Sequence, residues 1–164
     1  MFAQNSFNVN TQSIGVNSSF FVEISLHNTS EVTAFQFDIS HNESAYELSN
    51  TSALTSRAEN HTLSVNTIDD NTIRVLVYSA ANELISVGNG AILNLSFNSK
   101  NEPGTYNLNL SDIVLSDANG ASLGVSSNSG SVTILGPRYN LVTSSVDFGE
   151  IPMESSPTQS VSVS

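Results

Sequence analysis

Short runs of alternating apolar and polar residues, separated by turn-forming residues, are the feature that most constrains the fold of this chain. In the stretch 33–40, Phe35, Phe37 and Ile39 alternate with small or polar residues. One face of this strand is therefore apolar and the other is polar and faces solvent. The stretch 19–28 alternates in the same way, and helical periodicity is almost absent. The pattern predicts an all-β protein.

Nine runs are expected to form strands, and turn chemistry separates them. The runs are 6–10, 19–28, 33–40, 46–50, 61–68, 72–79, 91–99, 104–117 and 130–135. The expected turns are 69–71, 88–90, 101–104 and 117–120. This punctuation predicts an antiparallel jelly-roll β-sandwich of about nine strands. A short helix or an irregular excursion is expected only at 52–61.

Gly136 and Pro137 break the pattern and predict a domain boundary. Residues 1–136 are expected to form the sandwich. Residues 137–164 are expected to be a linker and the truncated start of a second β unit, which is too short to close its own core. The first residues contain no basic region followed by an apolar block, so no signal peptide is visible. We therefore expect a trimmed part of an extracellular or cell-surface protein.

Composition excludes several classes of function. The formal net charge is −11, which repels phosphate backbones, so nucleic acid is not expected as a partner. No run approaches the roughly 20 apolar residues of a membrane span, so membrane insertion is not expected either. The chain has no cysteine, which excludes disulfide bonds and thiolate chemistry.

No catalytic or metal-binding set stands out. His27, His41 and His61 lack the spacing that builds a metal site on one element, and they are interpreted as solvated. The carboxylates form no evident acid and base pair, and no G-x-S-x-G elbow occurs. The stretch 116–120 faintly resembles a calcium loop but lacks a third ligand, so it is interpreted as a turn. We expect a protein without catalysis, metal or cofactor.

The strand IRVLVYS is apolar on both faces. Ile73, Val75 and Val77 lie on one face, and Leu76 and Tyr78 lie on the other. Two interpretations are open at this point. The strand is either central and covered on both sides, or it exposes an apolar patch to a protein partner.

Several stretches together resemble a cohesin domain, over about residues 5–135. FQFDISHNESAYEL is similar to the family's Phe-Asp-x-x-Tyr-Asp-Pro-x-x-Leu stretch, and GNGAILNLSF to its Gly-x-(Leu/Ile)-x-x-(Leu/Ile)-x-Phe strand. SDANG followed by SGSVTI is similar to its closing strands. The final segment, with its VDFGEI, resembles the opening of a Hydin-type immunoglobulin-like domain.

The cohesin resemblance implies a function. Cohesins are nine-strand jelly-roll sandwiches that serve as non-catalytic receptors on scaffold and cell-surface proteins. They bind dockerins, which are small helical modules loaded with calcium. The resemblance therefore implies a dockerin-like partner, with calcium on that partner rather than on this chain.

The resemblance also implies a binding face. It would be built from the stretches 33–40, 72–79, 82–86 and 110–117. The side chains expected there are Ala34, Gln36, Asp38, Arg74, Leu76, Tyr78, Asn82 and Glu83. Burial of an apolar centre at Leu76 and Tyr78 would hold the partner. Hydrogen bonds from the surrounding polar side chains, rather than ion pairs, would set specificity.

Two other functions stay open on the same fold. A carbohydrate-binding module would bind polysaccharide, although the chain has no Trp and only four Tyr to form a stacking platform. A structural spacer in a surface protein would need no binding face at all.

Overall fold

The computed structural model describes residues 5–137 and Thr158, and residues 5–135 form an all-β sandwich. The strands are β1 (Asn5–Val9), β2 (Thr11–Gly15), β3 (Ser19–Asn28), β4 (Ala34–Ser40), β5 (Tyr46–Leu48), β6 (Ala53–Leu54), β7 (Thr62–Asp69), β8 (Thr72–Tyr78), β9 (Gly88–Ser99), β10 (Gly104–Leu108), β11 (Leu110–Ser116), β12 (Val125–Asn128) and β13 (Gly130–Leu135). A turn of 3-10 helix, Ser56–Ala58, lies within the excursion expected at 52–61. The expected second β unit lies outside the described residues.

The strands form two main sheets and a small one. One main sheet has the order β12-β1-β3-β9-β5, with β6 also paired to β9, and the other has the order β11-β4-β8-β7. The small sheet has the order β10-β13-β2. After Asn10 the chain passes from β1, in the first main sheet, into β2, in the small sheet. After Asn109 it passes from β10, in the small sheet, into β11, in the second main sheet. The small sheet therefore joins the two main sheets along one side.

Alternation places the core between the main sheets, as the sequence predicted. Phe7 of β1 contacts Phe35 and Phe37 of β4 across the two layers, with ring centroids 5.3 and 5.4 Å apart. In β3, every second residue from Phe20 to Leu26 is buried, and Phe21 between them is exposed. The inward faces predicted for the stretches 19–28 and 33–40 are confirmed.

The Gly-Asn-Gly stretch expected to form a turn begins β9 instead. Its residues pair with the end of β3, so Gly88–Ser99 is one strand of 12 residues. Arg57 packs against the start of this strand. Its Nη1 donates to the carbonyl oxygens of Leu26, at 2.7 Å, and Gly90, at 3.1 Å. Gly90 has a φ of 148°, a backbone conformation that favours glycine.

The interpretation of the histidines as solvated is wrong for His41. This residue is buried against Tyr46 and Phe97, with ring centroids 6.2 and 6.3 Å apart. Burial lowers the pKa of His41, because the charged imidazolium would lose its hydration. His61 is half-buried, and burial lowers its pKa as well. His27 is exposed, as expected.

Candidate functional site

The outer face of the sheet β11-β4-β8-β7, here called the docking face, carries six of the eight residues expected for binding. Strands β4 and β8 lie side by side at its centre and pair antiparallel along their whole length. Because side chains alternate between the two faces of a strand, every second residue points outward. The outward residues of these two strands include Ala34, Gln36, Asp38, Arg74, Leu76 and Tyr78.

An apolar patch, formed by Ala34, Leu76, Tyr78 and Val114, occupies the middle and one end of the docking face. Leu76 is 37% exposed, Tyr78 is 40% exposed and Val114 is 45% exposed. Ala34 lies opposite Tyr78, and Gln36 lies between Leu76 and Val114. Of the two interpretations of the strand IRVLVYS, the exposed one agrees with the structure. The strand is central in its sheet, but its outer face is open.

The other end of the docking face is charged. Arg74 Nε and Nη2 donate to the two carboxylate oxygens of Asp38, each at 2.7 Å. These hydrogen bonds from Arg74 hold the pKa of the Asp38 carboxyl below its usual range. Asp38 is buried beneath the guanidinium, so both of its oxygens are already engaged. Its charge is neutralised within the sheet.

Asp112 stands beside this ion pair but is far more accessible. Its side chain is 72% exposed, and its Oδ2 lies 3.9 Å from Arg74 Nη2. The residue has a φ of 47°, in the left-handed region that Asp and Asn tolerate better than most side chains. Two carboxylates thus face one guanidinium, and these three groups together carry one net negative charge. Asp112 supplies that charge.

Sequence reasoning missed Asp112 and Val114, although the sequence contains a signal for both. Leu110, Ile113 and Leu115 all pack toward the core. In a regular strand, residues three apart point to opposite sides, so this spacing requires a β-bulge. The structure shows an irregular register between Ser111 and Val114. The bulge turns Val114 outward and leaves Asp112 exposed.

The stretch 82–86, expected as a strand of the binding face, is a loop. Asn82 has a φ of 59°, which ends extended backbone soon after β8. Within this loop only Ile85 is buried, through an isolated bridge to Val32. Asn82 and Glu83 are exposed but lie in the loop, outside the sheet.

The fourth strand of the docking face is β7. It pairs with β8 and places Ser64 beside Leu76 and Asn66 beside Arg74. The sequence predicts this strand at 61–68 and the turn after it at 69–71, but it does not place the strand on the binding face. The hairpin between β7 and β8 brings it there.

Two further expectations concern the described surface outside the docking face, a metal site and a turn. Within residues 5–137, no three His, Asp or Glu side chains converge on a metal position. The turn expected at 117–120 is confirmed, since Asp117 Oδ1 accepts hydrogen bonds from the N–H groups of Asn119 and Ala121, both at 2.9 Å. In the part of the chain described, no helix has the length and apolarity to cross a membrane.

These features define the class of protein, a jelly-roll sandwich with an open, partly apolar sheet face. The chain belongs to the cohesin domain family, whose model, described as "Cohesin domain", matches residues 6–134. Members of this family are non-enzymatic protein-binding modules. The predicted resemblance to a cohesin and the predicted fold class are both confirmed.

Solved cohesin structures share the fold. A cohesin of Clostridium thermocellum, in a type I cohesin–dockerin complex, is 16% identical with a TM-score of 0.72, and the match covers 80% of this chain and 99% of that chain. A non-cellulosomal cohesin of the archaeon Archaeoglobus fulgidus is 19% identical with a TM-score of 0.69, over 81% and 92%. A cohesin of Clostridium acetobutylicum, solved in solution, is 21% identical with a TM-score of 0.69, over 80% and 90%. No curated protein sequence matches the chain.

Proposed function

We propose that this chain binds a dockerin-like protein module on its docking face. The observation that carries the proposal is the apolar patch, exposed at the middle and one end of an open sheet face in a family of protein-binding modules. A structurally similar cohesin of Clostridium thermocellum forms a complex with a dockerin. Exposed apolar groups on an otherwise polar surface are typical of interaction sites.

Leu76 and Tyr78 are the expected anchors of this interface. Residues near the centre of an interface lose the most water on binding, and Tyr is enriched among those whose truncation costs more than about 2 kcal/mol. Gln36 lies directly beside Leu76 on β4 and offers both a donor and an acceptor to the partner. Ser64 lies on the other side of Leu76 and adds a hydroxyl. The centre is thus apolar and its neighbours can form hydrogen bonds.

The proposal has consequences for the rest of the molecule. The chain itself would carry out no catalysis, and calcium would reside on the dockerin-like partner. The module would be displayed outside the cell, as part of an extracellular or cell-surface protein. Residues 1–136 would form one folding unit, and residues 137–164 would begin a second, immunoglobulin-like domain.

Polysaccharide binding has weaker support on this surface. A depression of about 350 Å³ is lined by Leu48, Ser49, Asn50, Ser52, Leu63 and Val65. None of these side chains is aromatic, so the depression lacks the ring faces on which sugars stack. The exposed aromatic residues Phe21 and Tyr78 belong to different sheets and form no platform together.

The test is a calorimetric titration of the full 164-residue chain with a panel of calcium-loaded dockerin modules, with and without a chelator. We expect binding by at least one dockerin, lost on chelation and lost with Leu76→Asp or Tyr78→Asp. Both substitutions introduce a charge that must be desolvated at the centre of the interface. Phe21→Asp is the matched control, because Phe21 is also an exposed apolar residue but belongs to the other main sheet.

Two results would contradict the proposal. One is binding that survives both substitutions on the docking face. The other is the absence of binding to every dockerin, and retention on a polysaccharide array would then support the carbohydrate-binding alternative.

A further inference from the structure

The docking face has two unlike ends, and this asymmetry specifies the chemistry of the partner. We propose that the partner places a Lys or Arg side chain over Asp112, next to an apolar surface that covers Leu76, Tyr78 and Val114. This inference rests on the proposed function, since it concerns the same face. It departs from the expectation that hydrogen bonds alone would set specificity.

The charged end attracts a cation because one carboxylate there, that of Asp112, receives no hydrogen bond from Arg74. Arg74 is held by Asp38 through two hydrogen bonds of 2.7 Å. Its remaining approach to Asp112 is 3.9 Å, which is an ion pair without a hydrogen bond. A basic side chain of the partner could reach the exposed carboxylate of Asp112 without breaking the pair beneath it. Asp38 offers no such acceptor, because it is buried and both of its oxygens are engaged.

The cross-strand row at the opposite end of the face has uncharged side chains. It consists of Ser116, Ala34, Tyr78 and Thr62, on four neighbouring strands. An acidic or basic group placed over this row would lose its hydration without gaining a counterion within the row. A partner with an apolar side and a basic side therefore matches the two ends of the face best in one orientation.

The net charge of −11 also favours a basic partner, through electrostatic attraction over longer distances. A basic partner would be drawn toward the chain before contact, and this attraction weakens as salt is added. An exposed ion pair at the rim of an interface contributes mainly to association rate and orientation, and only modestly to affinity. The expected effect of removing it is correspondingly small but salt-dependent.

The test uses Asp112→Asn in the full chain, titrated with a dockerin that binds the wild type. Asn has the same shape and also tolerates the left-handed backbone, so the substitution removes only the charge. We expect binding to weaken roughly three- to fivefold at 50 mM NaCl. The difference from the wild type should shrink at 500 mM NaCl, where the Debye length falls to a few Å. Glu23→Gln on the other main sheet changes the net charge equally and should leave binding unchanged.

A double-mutant cycle identifies the partner's group. Each basic residue on the dockerin's docking helix is changed to Gln and titrated against the wild type and Asp112→Asn. One of them should show coupling with Asp112, meaning that its loss weakens binding to the wild type and not to the variant.

The outcomes separate this inference from the proposed function. If Leu76→Asp abolishes binding but Asp112→Asn binds like the wild type at both salt concentrations, the inference is overturned and the proposed function stands. If no dockerin of the panel binds the wild type, both are overturned together.

Discussion

Asp38 and Asp112 approach the same guanidinium, yet their surroundings give them different roles. Asp38 is buried, and its hydrogen bonds with Arg74 lower its pKa, so it remains charged in moderately acidic solution. It fixes the position of the Arg74 guanidinium through two hydrogen bonds. Asp112 lies on a bulge and remains open to solvent. The difference comes from backbone geometry, because regular alternation would not have exposed residue 112 in this way.

The burial of His41 leads to a prediction about how the free energy of unfolding depends on pH. Its pKa in the folded protein is lowered by burial, while in the unfolded chain it lies near 6.5. Below that value the unfolded chain binds a proton that the folded protein does not, so the free energy of unfolding falls as the pH falls. The loss continues until the pH reaches the pKa of His41 in the folded protein. In total, the free energy of unfolding falls by about 1.4 kcal/mol for each unit by which the two pKa values differ. His61 acts in the same direction.

The measurement is urea unfolding at pH 7.5 and pH 5.5. We expect the wild type to lose stability between these two values, and His41→Phe to lose less, because the phenyl ring can pack against Tyr46 and Phe97 without titrating. His61 remains in this variant, so part of the dependence should persist. His27→Gln, at an exposed site, should behave like the wild type. An equal loss in the wild type and in His41→Phe would show that His41 does not contribute.

At the scale of elements, alternation predicted well those strands whose two faces meet different environments. Strand β3 is buried on one face and exposed on the other, so its pattern was unambiguous. Strand β8 is apolar on both faces, and the sequence alone could not say whether its outer side is covered. The bulge in β11 and the pairing of β7 depend on register, which local patterns specify weakly. The predicted residues of β4 and β8 therefore do lie at the centre of the docking face, whereas its residues on the edge strands β7 and β11 were not predicted.

Gly130, the first residue of β13, packs closely against the backbone of Val9 and Asn10, where β1 ends and β2 begins. A Cβ at this position would overlap the backbone oxygen of Asn10 and lie 2.6 Å from that of Val9. Backbone atoms cannot move aside as a flexible side chain can, so we expect Gly130→Ala to lower the free energy of unfolding by at least about 2 kcal/mol. Gly124→Ala is the matched control, since a Cβ there meets no atom within 4 Å.

Urea unfolding of the two variants provides the measurement. Near-equal stability of Gly130→Ala and the wild type would mean that β13 sits further from Asn10 than the structure places it. A large loss for Gly124→Ala as well would point to a general cost of replacing glycine in this region.

At the scale of the whole molecule, the first two strands of the described chain pair with the last two. Strand β1 runs parallel to β12, with Asn5 opposite Val125, and β2 runs parallel to β13, with Thr11 opposite Ser131. Contacts between residues so distant in sequence form only after a costly loop closure, so the fold should form slowly and as a unit. Among the described strands, β2 pairs with β13 alone, so it cannot be held in place until β13 has formed.

This closure leads to a prediction about truncation. In a chain of residues 1–128, β13 is missing, and both β10 and β2 lose the strand between them. We expect this chain to lack a cooperative urea transition, because the small sheet that joins the two main sheets cannot form. A chain of residues 1–136 keeps every strand of the described fold and should unfold cooperatively, with a midpoint close to that of the full chain. Far-UV circular dichroism during urea titration distinguishes the two.

If 1–136 showed no cooperative transition while the full chain did, residues 137–164 would be part of the folding unit, and the predicted boundary at Gly136 and Pro137 would be wrong. If 1–128 unfolded as cooperatively as the full chain, the sandwich would not depend on the pairing of its chain ends.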